Sequence, residues 1–295
     1  MTKVLIHSQE HVRSSCADNP KIIDPRMIGS TCGPLTHTGG DNIMKRVSLF
    51  VYGVISYSIF FVTFLYAIGF VGNFIVPKSI DSSPQGPLGL ALLVDALLLG
   101  LFALQHSVMA RPAFKHWWTR FVPRPVERST YVLFASLALI ALFAYWQPLG
   151  GVIWNVQDPV GQVVLYGLCA LGWGLVLAAT FLINHFDLFG LRQVWLHLRE
   201  EDYRPLTFGT PGPYRIVRHP LYVGFIIAFW ATPVMSAAHL FFALMTTGYI
   251  LIAIRLEEHD LVSEHGARYA EYRRQVPMLI PHLGRRSSRA GTASV

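Results

Sequence analysis

The chain has 295 residues, of which 53% are hydrophobic and only 14% are charged, and its formal net charge is +7. Soluble domains carry about 25% charged residues, so this composition excludes an ordinary soluble protein and is typical of a membrane protein. The basic residues lie beside long apolar runs, where they indicate membrane topology rather than nucleic-acid binding. The three cysteines form no CxxC or Cys/His spacing, so we expect neither a disulfide framework nor a metal site.

The N-terminal region, residues 1–43, is polar and has neither sustained apolar periodicity nor the hydrophobic segment of a signal peptide. We expect a disordered extension over 1–43, one transmembrane domain over 44–284 and a disordered tail over 285–295. Met44 directly precedes a basic pair and the first apolar run, so an alternative start of the chain at Met44 stays open.

Four apolar runs of about 18 to 25 residues are each long enough to cross a ~30 Å hydrocarbon core at ~1.5 Å per residue. They cover 48–72, 88–108, 130–147 and 161–183. A fifth apolar region, 221–254, would be ~51 Å long as one helix, which is too long for a single crossing. Pro233 lies near its middle and predicts a helical hairpin with arms 221–235 and 237–254. The chain is therefore predicted to be an all-α polytopic bundle of five to six transmembrane helices.

Lysine and arginine are concentrated in the segments 109–129 and 184–220 and in the tail after residue 254. The two intervening loops contain Lys78 and no other Lys or Arg. By the positive-inside rule, the basic segments and both termini face the cytoplasm. Two termini on the same side of the membrane require an even number of crossings. The hairpin gives that number, because its two arms add two crossings to the four single spans. We expect a multi-pass protein of the bacterial inner membrane.

Polar residues flank the predicted spans on the side that the charge pattern assigns to the cytoplasm. They are Gln105, His106, Asn184, His185, Asp187, Arg218, His219, Glu257 and Glu258. A single residue of this kind is usually an interfacial anchor. His, Asp and Asn are poor anchors compared with Lys, Arg and Trp, so the group predicts a polar pocket at the cytoplasmic mouth of the bundle. Such a pocket suits a polar cytosolic cofactor and a small or apolar second substrate.

The most specific pattern lies in the C-terminal third of the chain. Arg-His-Pro at 218–220 opens the predicted hairpin, Glu-Glu at 257–258 closes it, and a Gly-x-x-Tyr-x-x-Tyr sequence follows at 266–272. Over 212–281 this order and spacing resembles the membrane methyltransferases that include isoprenylcysteine carboxyl methyltransferase and the phospholipid methyltransferases. The resemblance implies S-adenosylmethionine as the methyl donor, without a metal. A soluble Rossmann-type methyltransferase is excluded, because the sequence has no GxGxxG after a strand.

The resemblance places the methyl donor at the two ends of the hairpin. Pro220 starts a helix well, and the free N–H groups of a helix start favour a carboxylate or ribose hydroxyls. Tyrosine rings stack on adenine or on the cationic methionine part, Gly224 permits close backbone approach, and the two glutamates either contact the cofactor or pair with arginines. The predicted cofactor-binding residues are Tyr214, Arg218, His219, Pro220, Tyr222, Gly224, Glu257, Glu258 and Tyr269.

Three further segments, 105–115, 127–131 and 184–190, resemble the methanethiol S-methyltransferase family within the wider nurim-like group. This likeness covers about 45–281 and implies methylation of a small thiol, methanethiol, to give dimethyl sulfide. The lipid bilayer is then the other expected partner, with no nucleic acid and no protein partner. Two alternatives stay open: an isoprenylcysteine carboxyl or phospholipid methyltransferase that uses the same cofactor, and a non-enzymatic nurim-like membrane protein.

Methyl transfer to sulfur is an in-line displacement that favours a thiolate, and the pKa of a cysteine thiol is about 8.5. A base or a positive field therefore helps at neutral pH. His185 and Asp187 are the first candidates for this catalytic role and His106 is the next, although a purely structural hydrogen-bonded cluster stays open. Aromatic residues near the fourth span either form the walls of a thiol pocket or serve as packing: Trp173, Phe181, Phe186 and Phe189.

Asp95 lies near the middle of the second predicted span. An ionised carboxylate there costs several kcal/mol unless it is paired. We expect Asp95 to pair with a polar group of a neighbouring span or to stay protonated, in a structural role or along a substrate path.

Overall fold

The computed structural model describes most of the chain in three stretches, residues 39–84, 86–206 and 209–281. Residues 1–38 of the predicted extension and the predicted tail over 285–295 lie outside the described residues. The first helix begins at Gly39, so the domain boundary expected at residue 44 falls within a helix.

Helices make up most of the described chain. In order they are α1 (Gly39–Gly72), α2 (Leu88–Met109), α3 (Pro112–Trp118), α4 (Arg124–Tyr145), α5 (Pro159–Ile183), α6 (His185–Leu188), α7 (Leu191–Leu198), α8 (Pro220–Trp230), α9 (Ala237–His265) and α10 (Ala267–Gln275). A 3-10 helix covers Gly212–Arg215, and two short strands are β1 (Val152–Asn155) and β2 (Val234–Ser236).

Five of the described helices, α1, α2, α4, α5 and α9, are long and apolar enough to cross a membrane. They coincide with the four predicted spans and with the second arm of the hairpin, which confirms an all-α multi-pass membrane protein. α4 begins at Arg124, before the predicted start at residue 130. Pro125 explains the early start, because proline in the first turn of a helix loses no hydrogen bond and already has a helical φ.

The predicted hairpin is present, but its first arm is shorter than expected. α8 has 11 residues, which is about 16 Å of helix and only part of a ~30 Å hydrocarbon core. It ends at Trp230, because the residues before Pro233 leave the helical region. β2 follows and pairs antiparallel with β1, with Val152 opposite Ser236. This ribbon, which the sequence did not predict, supplies backbone hydrogen bonds where the chain is not helical.

α8 packs against α5 at unusually close range. A Cβ on Gly224 would lie 2.7 Å from the carbonyl oxygen of Gly172 and 2.9 Å from the amide nitrogen of Val176. Small residues at such crossings let two helix backbones approach in a membrane. At Gly224 the close backbone approach is made by α5, and the cofactor contact predicted there stays a prediction.

A cluster of buried apolar side chains fills the middle of the bundle and the half nearest the ribbon. Its large members include Phe70, Leu142, Trp146, Trp173, Phe229 and Phe242. Asp95 lies in this half, fully buried, and its Oδ1 atom accepts the N–H of Gln147 at 2.8 Å. Since Gln147 follows α4, Asp95 pairs with a neighbouring span as predicted, through a backbone group.

The polar residues singled out above lie at the other end of the bundle. His106 is near the end of α2, His185 directly follows α5, His219 precedes α8, and the 257–258 pair lies in the second half of α9. This end of the bundle therefore contains the candidate site. Its assignment to the cytoplasmic face stays a prediction.

Candidate active site

The two ends of the hairpin meet in a buried cluster, which we call the hairpin foot: Arg218, His219 and Glu258. The Oε1 atom of Glu258 accepts from Nε of Arg218 at 2.7 Å and lies 3.0 Å from Nε2 of His219. The side chains of Arg218 and Glu258 are only 10% and 11% exposed. An ion pair so little exposed to solvent is stabilised by good geometry and by additional hydrogen bonds.

The segment after α10 supplies those additional bonds. The backbone N–H groups of Arg218 and His219 donate to the carbonyl oxygens of Pro277 at 2.8 Å and Met278 at 3.3 Å. The Nη1 atom of Arg218 also donates to the carbonyl oxygen of Arg273 at 2.9 Å. The C-terminal segment thus holds the start of α8, and Pro220 begins the helix as predicted.

Buried and half-buried tyrosines surround the hairpin foot. Tyr222 donates its hydroxyl to Oε2 of Glu257 at 3.0 Å, and Tyr272 donates to the carbonyl oxygen of Tyr214 at 2.6 Å. Tyr269 is 2% exposed. Burial raises the pKa of Tyr269 above its usual value and that of Tyr272 to about 12, so both hydroxyls stay protonated at neutral pH. The protonated hydroxyl of Tyr272 is thus the donor that holds α10 to the carbonyl oxygen of Tyr214.

His106 belongs to the same half of the site. The hydroxyl of Tyr131 lies 3.0 Å from either ring nitrogen of His106. Glu257 lies within electrostatic range of His106, Tyr131, Tyr222 and Tyr249. This arrangement connects α2 and α4 to the hairpin, and the hydrogen-bond partners of His106 and His185 are different residues.

His185 is buried and bonded through both ring nitrogens. Its Nδ1 atom lies 2.9 Å from the hydroxyl of Thr180, and its Nε2 atom lies 2.9 Å from the hydroxyl of Tyr57. The Thr180 hydroxyl donates to the carbonyl oxygen of Leu177 at 2.7 Å, so its oxygen accepts from Nδ1–H. His185 is then the Nδ1–H tautomer, and Nε2 accepts the Tyr57 hydroxyl. Burial lowers the pKa of His185 below its usual value, which favours this neutral form.

Asp187 does not share a hydrogen bond with His185. Its carboxylate is fully buried and accepts from Nη1 of Arg192 at 2.8 Å and from the hydroxyl of Tyr203 at 3.3 Å. Burial raises the pKa of Asp187, and the hydrogen bond and charge of Arg192 oppose that shift. Residues two apart on a helix do not face each other. Asp187 therefore binds the segment after α6, whereas the side chain of His185 points toward the interior of the bundle.

Asn184 produces this inward turn. Its φ of 136° lies in the left-handed region, which is strained for a residue other than glycine. The residue ends α5 and also caps α6, where its side chain accepts from the N–H of Asp187 at 3.1 Å. The reversal directs His185 between α5 and α1.

An apolar pocket lies beside His185, and we call it the acceptor pocket. Its volume is about 40 Å³, measured as the space open to a water-sized sphere. One water needs roughly 10–15 Å³ on this scale, so the pocket holds a molecule of only a few heavy atoms. The lining residues are Phe60, Phe61, Phe64, Val176, Leu177, Thr180, His185, Phe189, Leu221 and Phe225.

Sequence reasoning identified only part of this pocket. Phe189 lines it as predicted. Trp173 instead belongs to the core behind the pocket, and Phe181 stacks on the outer face of His185 with ring centroids 4.3 Å apart. The contribution of α1 was missed. Its signal is an aromatic series at helical spacing, which includes Tyr57, Phe60, Phe61 and Phe64.

The acceptor pocket adjoins the hairpin foot through Leu221. Leu221 directly follows Pro220 at the start of α8 and is also a pocket wall. It packs with Tyr214 and Ala179 in a small buried cluster. Among the described residues, no group of three or more His, Cys, Asp or Glu side chains is arranged to hold a metal ion. The candidate site thus has two adjoining halves. The polar half is the hairpin foot, and the apolar half is the acceptor pocket beside His185.

The bundle and its hairpin define a multi-pass membrane protein. Residues 162–267, which include most of α5 and all of α8 and α9, match the family described as "Phospholipid methyltransferase". The chain is 58% identical over 250 residues to a "Methanethiol S-methyltransferase" of Crocosphaera subtropica, covering 85% of this chain and 98% of that protein. It belongs to the methanethiol S-methyltransferase family.

Other relatives agree with this placement. A "Methanethiol S-methyltransferase" of Mycobacterium tuberculosis is 54% identical over 238 residues, which are 81% of this chain and 98% of that protein. "Nurim" of Bos taurus is 32% identical over 179 residues, which are 58% of this chain and 68% of that protein. No solved structure matches the chain.

Proposed function

We propose that this chain transfers the methyl group of S-adenosylmethionine to methanethiol and releases dimethyl sulfide. The observation that carries the proposal is the small apolar pocket with His185 in its wall, directly beside the hairpin foot. The names of the relatives support the choice of methanethiol. A pocket of about 40 Å³ suits an acceptor of a few heavy atoms, such as methanethiol.

The residues of the polar half fit the methyl donor. Arg218 and the start of α8 favour its carboxylate, and Glu257 with Glu258 favour its ammonium and sulfonium charges. On α2, the Oε1 atom of Gln105 is buried and has no hydrogen-bond partner among the described residues. A buried polar atom without a partner costs free energy unless a ligand satisfies it.

S-adenosylmethionine, when bound, supplies a methyl group that leaves its sulfonium sulfur as the new bond to the thiol sulfur forms. The acceptor pocket holds the thiol and excludes water, since its walls are almost entirely apolar. His185 accepts the thiol proton at Nε2, either directly or through the hydroxyl of Tyr57. The products are dimethyl sulfide and S-adenosylhomocysteine, with the proton on His185.

The test is a methyl-transfer assay with purified protein in detergent, methyl-labelled S-adenosylmethionine and three acceptors. Methanethiol should give labelled dimethyl sulfide in the headspace, whereas a farnesylated cysteine and phosphatidylethanolamine should take up no label. Label on either of the other acceptors, or on none of the three, would contradict the proposal.

We also propose that the hairpin foot faces the cytoplasm and that both termini are cytoplasmic in the bacterial inner membrane. The concentration of Lys and Arg at that end supports this orientation. The test introduces cysteines at Arg120 and at Asp158, in a background without native cysteines, and labels intact cells with a membrane-impermeant maleimide. Asp158 should label and Arg120 should not, and the reverse pattern would invert the topology.

A further inference from the structure

The acceptor pocket extends inward from His185 along three helices. Tyr57 of α1 and Thr180 of α5 both hydrogen-bond His185 and therefore lie at its level. Phe64 lies about two helical turns further along α1, and Trp173 lies about two turns back along α5, which is ~10 Å deeper in the bundle.

Two phenyl rings close the inner end of the pocket, Phe64 from α1 and Phe225 from α8. We call this pair the pocket floor. Both rings rest edge-on against Trp173, with centroid distances of 5.5 Å from Phe64 and 5.9 Å from Phe225. Trp173 is itself 6% exposed and belongs to the central core. The floor is therefore supported from behind and cannot yield without disturbing packed aromatic rings.

We propose that Phe64 and Phe225 set the upper size limit of the acceptor thiol. This inference rests on the proposed thiol methylation. When the sulfur of a thiol lies beside His185, its carbon chain points along the pocket toward the floor. The side walls of the pocket are the faces of the surrounding helices and leave no other direction for the chain. Each added methylene then meets the rings instead of open space. One methylene in an apolar pocket changes specificity by about 10- to 200-fold.

The test measures kcat/KM for methanethiol, ethanethiol and 1-propanethiol in the native enzyme and in the variants Phe64→Ala and Phe225→Ala. Removing a floor ring should raise the kcat/KM ratio of 1-propanethiol to methanethiol at least about 10-fold. The ratio does not depend on the fraction of correctly folded enzyme, because both substrates are measured on the same preparation.

Phe241→Ala is the matched control. Phe241 is a partly buried ring on α9 that packs on the central core and is not a wall of the pocket. Its loss should leave the ratio unchanged. Phe64→Leu and Phe225→Leu remove less volume and should shift the ratio in the same direction by less.

The outcomes separate this inference from the proposed function. A native enzyme that methylates methanethiol, together with floor variants that keep the native ratio, would overturn the size limit alone. A native enzyme that uses all three thiols equally well would overturn it too. Failure of the native enzyme to methylate any thiol would instead overturn the proposed function.

Discussion

Replacing Glu258 with Gln tests the hairpin foot most directly. Gln keeps the size of Glu and one acceptor oxygen, so it removes the charge without opening a cavity. Oε1 of Glu258 takes two charge-assisted contacts, from Arg218 at 2.7 Å and His219 at 3.0 Å. A hydrogen bond to a charged group contributes about 1.5–3 kcal/mol and a neutral one about 1 kcal/mol. Removing the charge should therefore weaken the two contacts together by about 2 kcal/mol.

Because the foot positions the groups proposed to bind the methyl donor, this loss should appear as weaker cofactor binding. At ~1.4 kcal/mol per tenfold change, about 2 kcal/mol corresponds to roughly 30-fold in Kd. Isothermal titration of S-adenosylmethionine into detergent-purified protein measures Kd directly, and a thermal unfolding scan of the same sample reports stability.

Asp260→Asn is the matched control for Glu258→Gln. Asp260 lies on the same helix and accepts from Nη1 of Arg111 at 2.8 Å, away from the hairpin foot. The same loss of charge there should leave cofactor affinity within about twofold of native, since Arg111 directly precedes α3 and is not part of the hairpin foot. Native affinity in Glu258→Gln, or an equal loss in both variants, would refute the role assigned to the foot.

Three further outcomes are expected. His185→Ala should lower kcat about 100-fold or more with cofactor affinity retained, and the opposite pattern would assign His185 to the cofactor. Tyr57→Phe removes a hydrogen bond that favours neutral His185, so the pKa of His185 should rise and the acid limb of the kcat/KM profile should move to higher pH. An unshifted limb would contradict the assignment of Nε2 as the acceptor of the Tyr57 hydroxyl. Gly224→Ala should destabilise the fold by about 1–3 kcal/mol in denaturant unfolding, and native stability would refute the close crossing with Gly172.

The spans and the hairpin could be predicted because hydropathy and loop charge report them directly. The same reasoning predicts that His219 and Glu258 lie close together. His219 precedes the first arm of the hairpin and Glu258 follows the second, and the two ends of a hairpin lie on the same side of the membrane. The β ribbon could not be predicted in this way. Its two strands have 4 and 3 residues, too few for a period-two pattern to stand out from the adjoining helices.

The acceptor pocket was only partly predictable for a different reason. Aromatic residues in an apolar span have the same pattern whether they face a pocket, the core or lipid. Phe64 is a floor residue only because it packs, together with Phe225 of α8, against Trp173 of α5 in the folded bundle. The separation of His185 from Asp187 depends on the backbone of Asn184, whose φ of 136° has no signature in the residue pattern.

The short α8 explains why the two halves of the site adjoin. In-line methyl transfer needs the reacting atoms within about 3–3.5 Å of each other. His219 ends the polar half and Leu221 begins the apolar half, so less than one helical turn separates them. The glycine crossing with α5 fixes the distance between α8 and Thr180, and through Thr180 it fixes His185. One helix held at one crossing thus sets both the donor side and the acceptor side, which ties the catalytic distance to helix packing rather than to loop conformation.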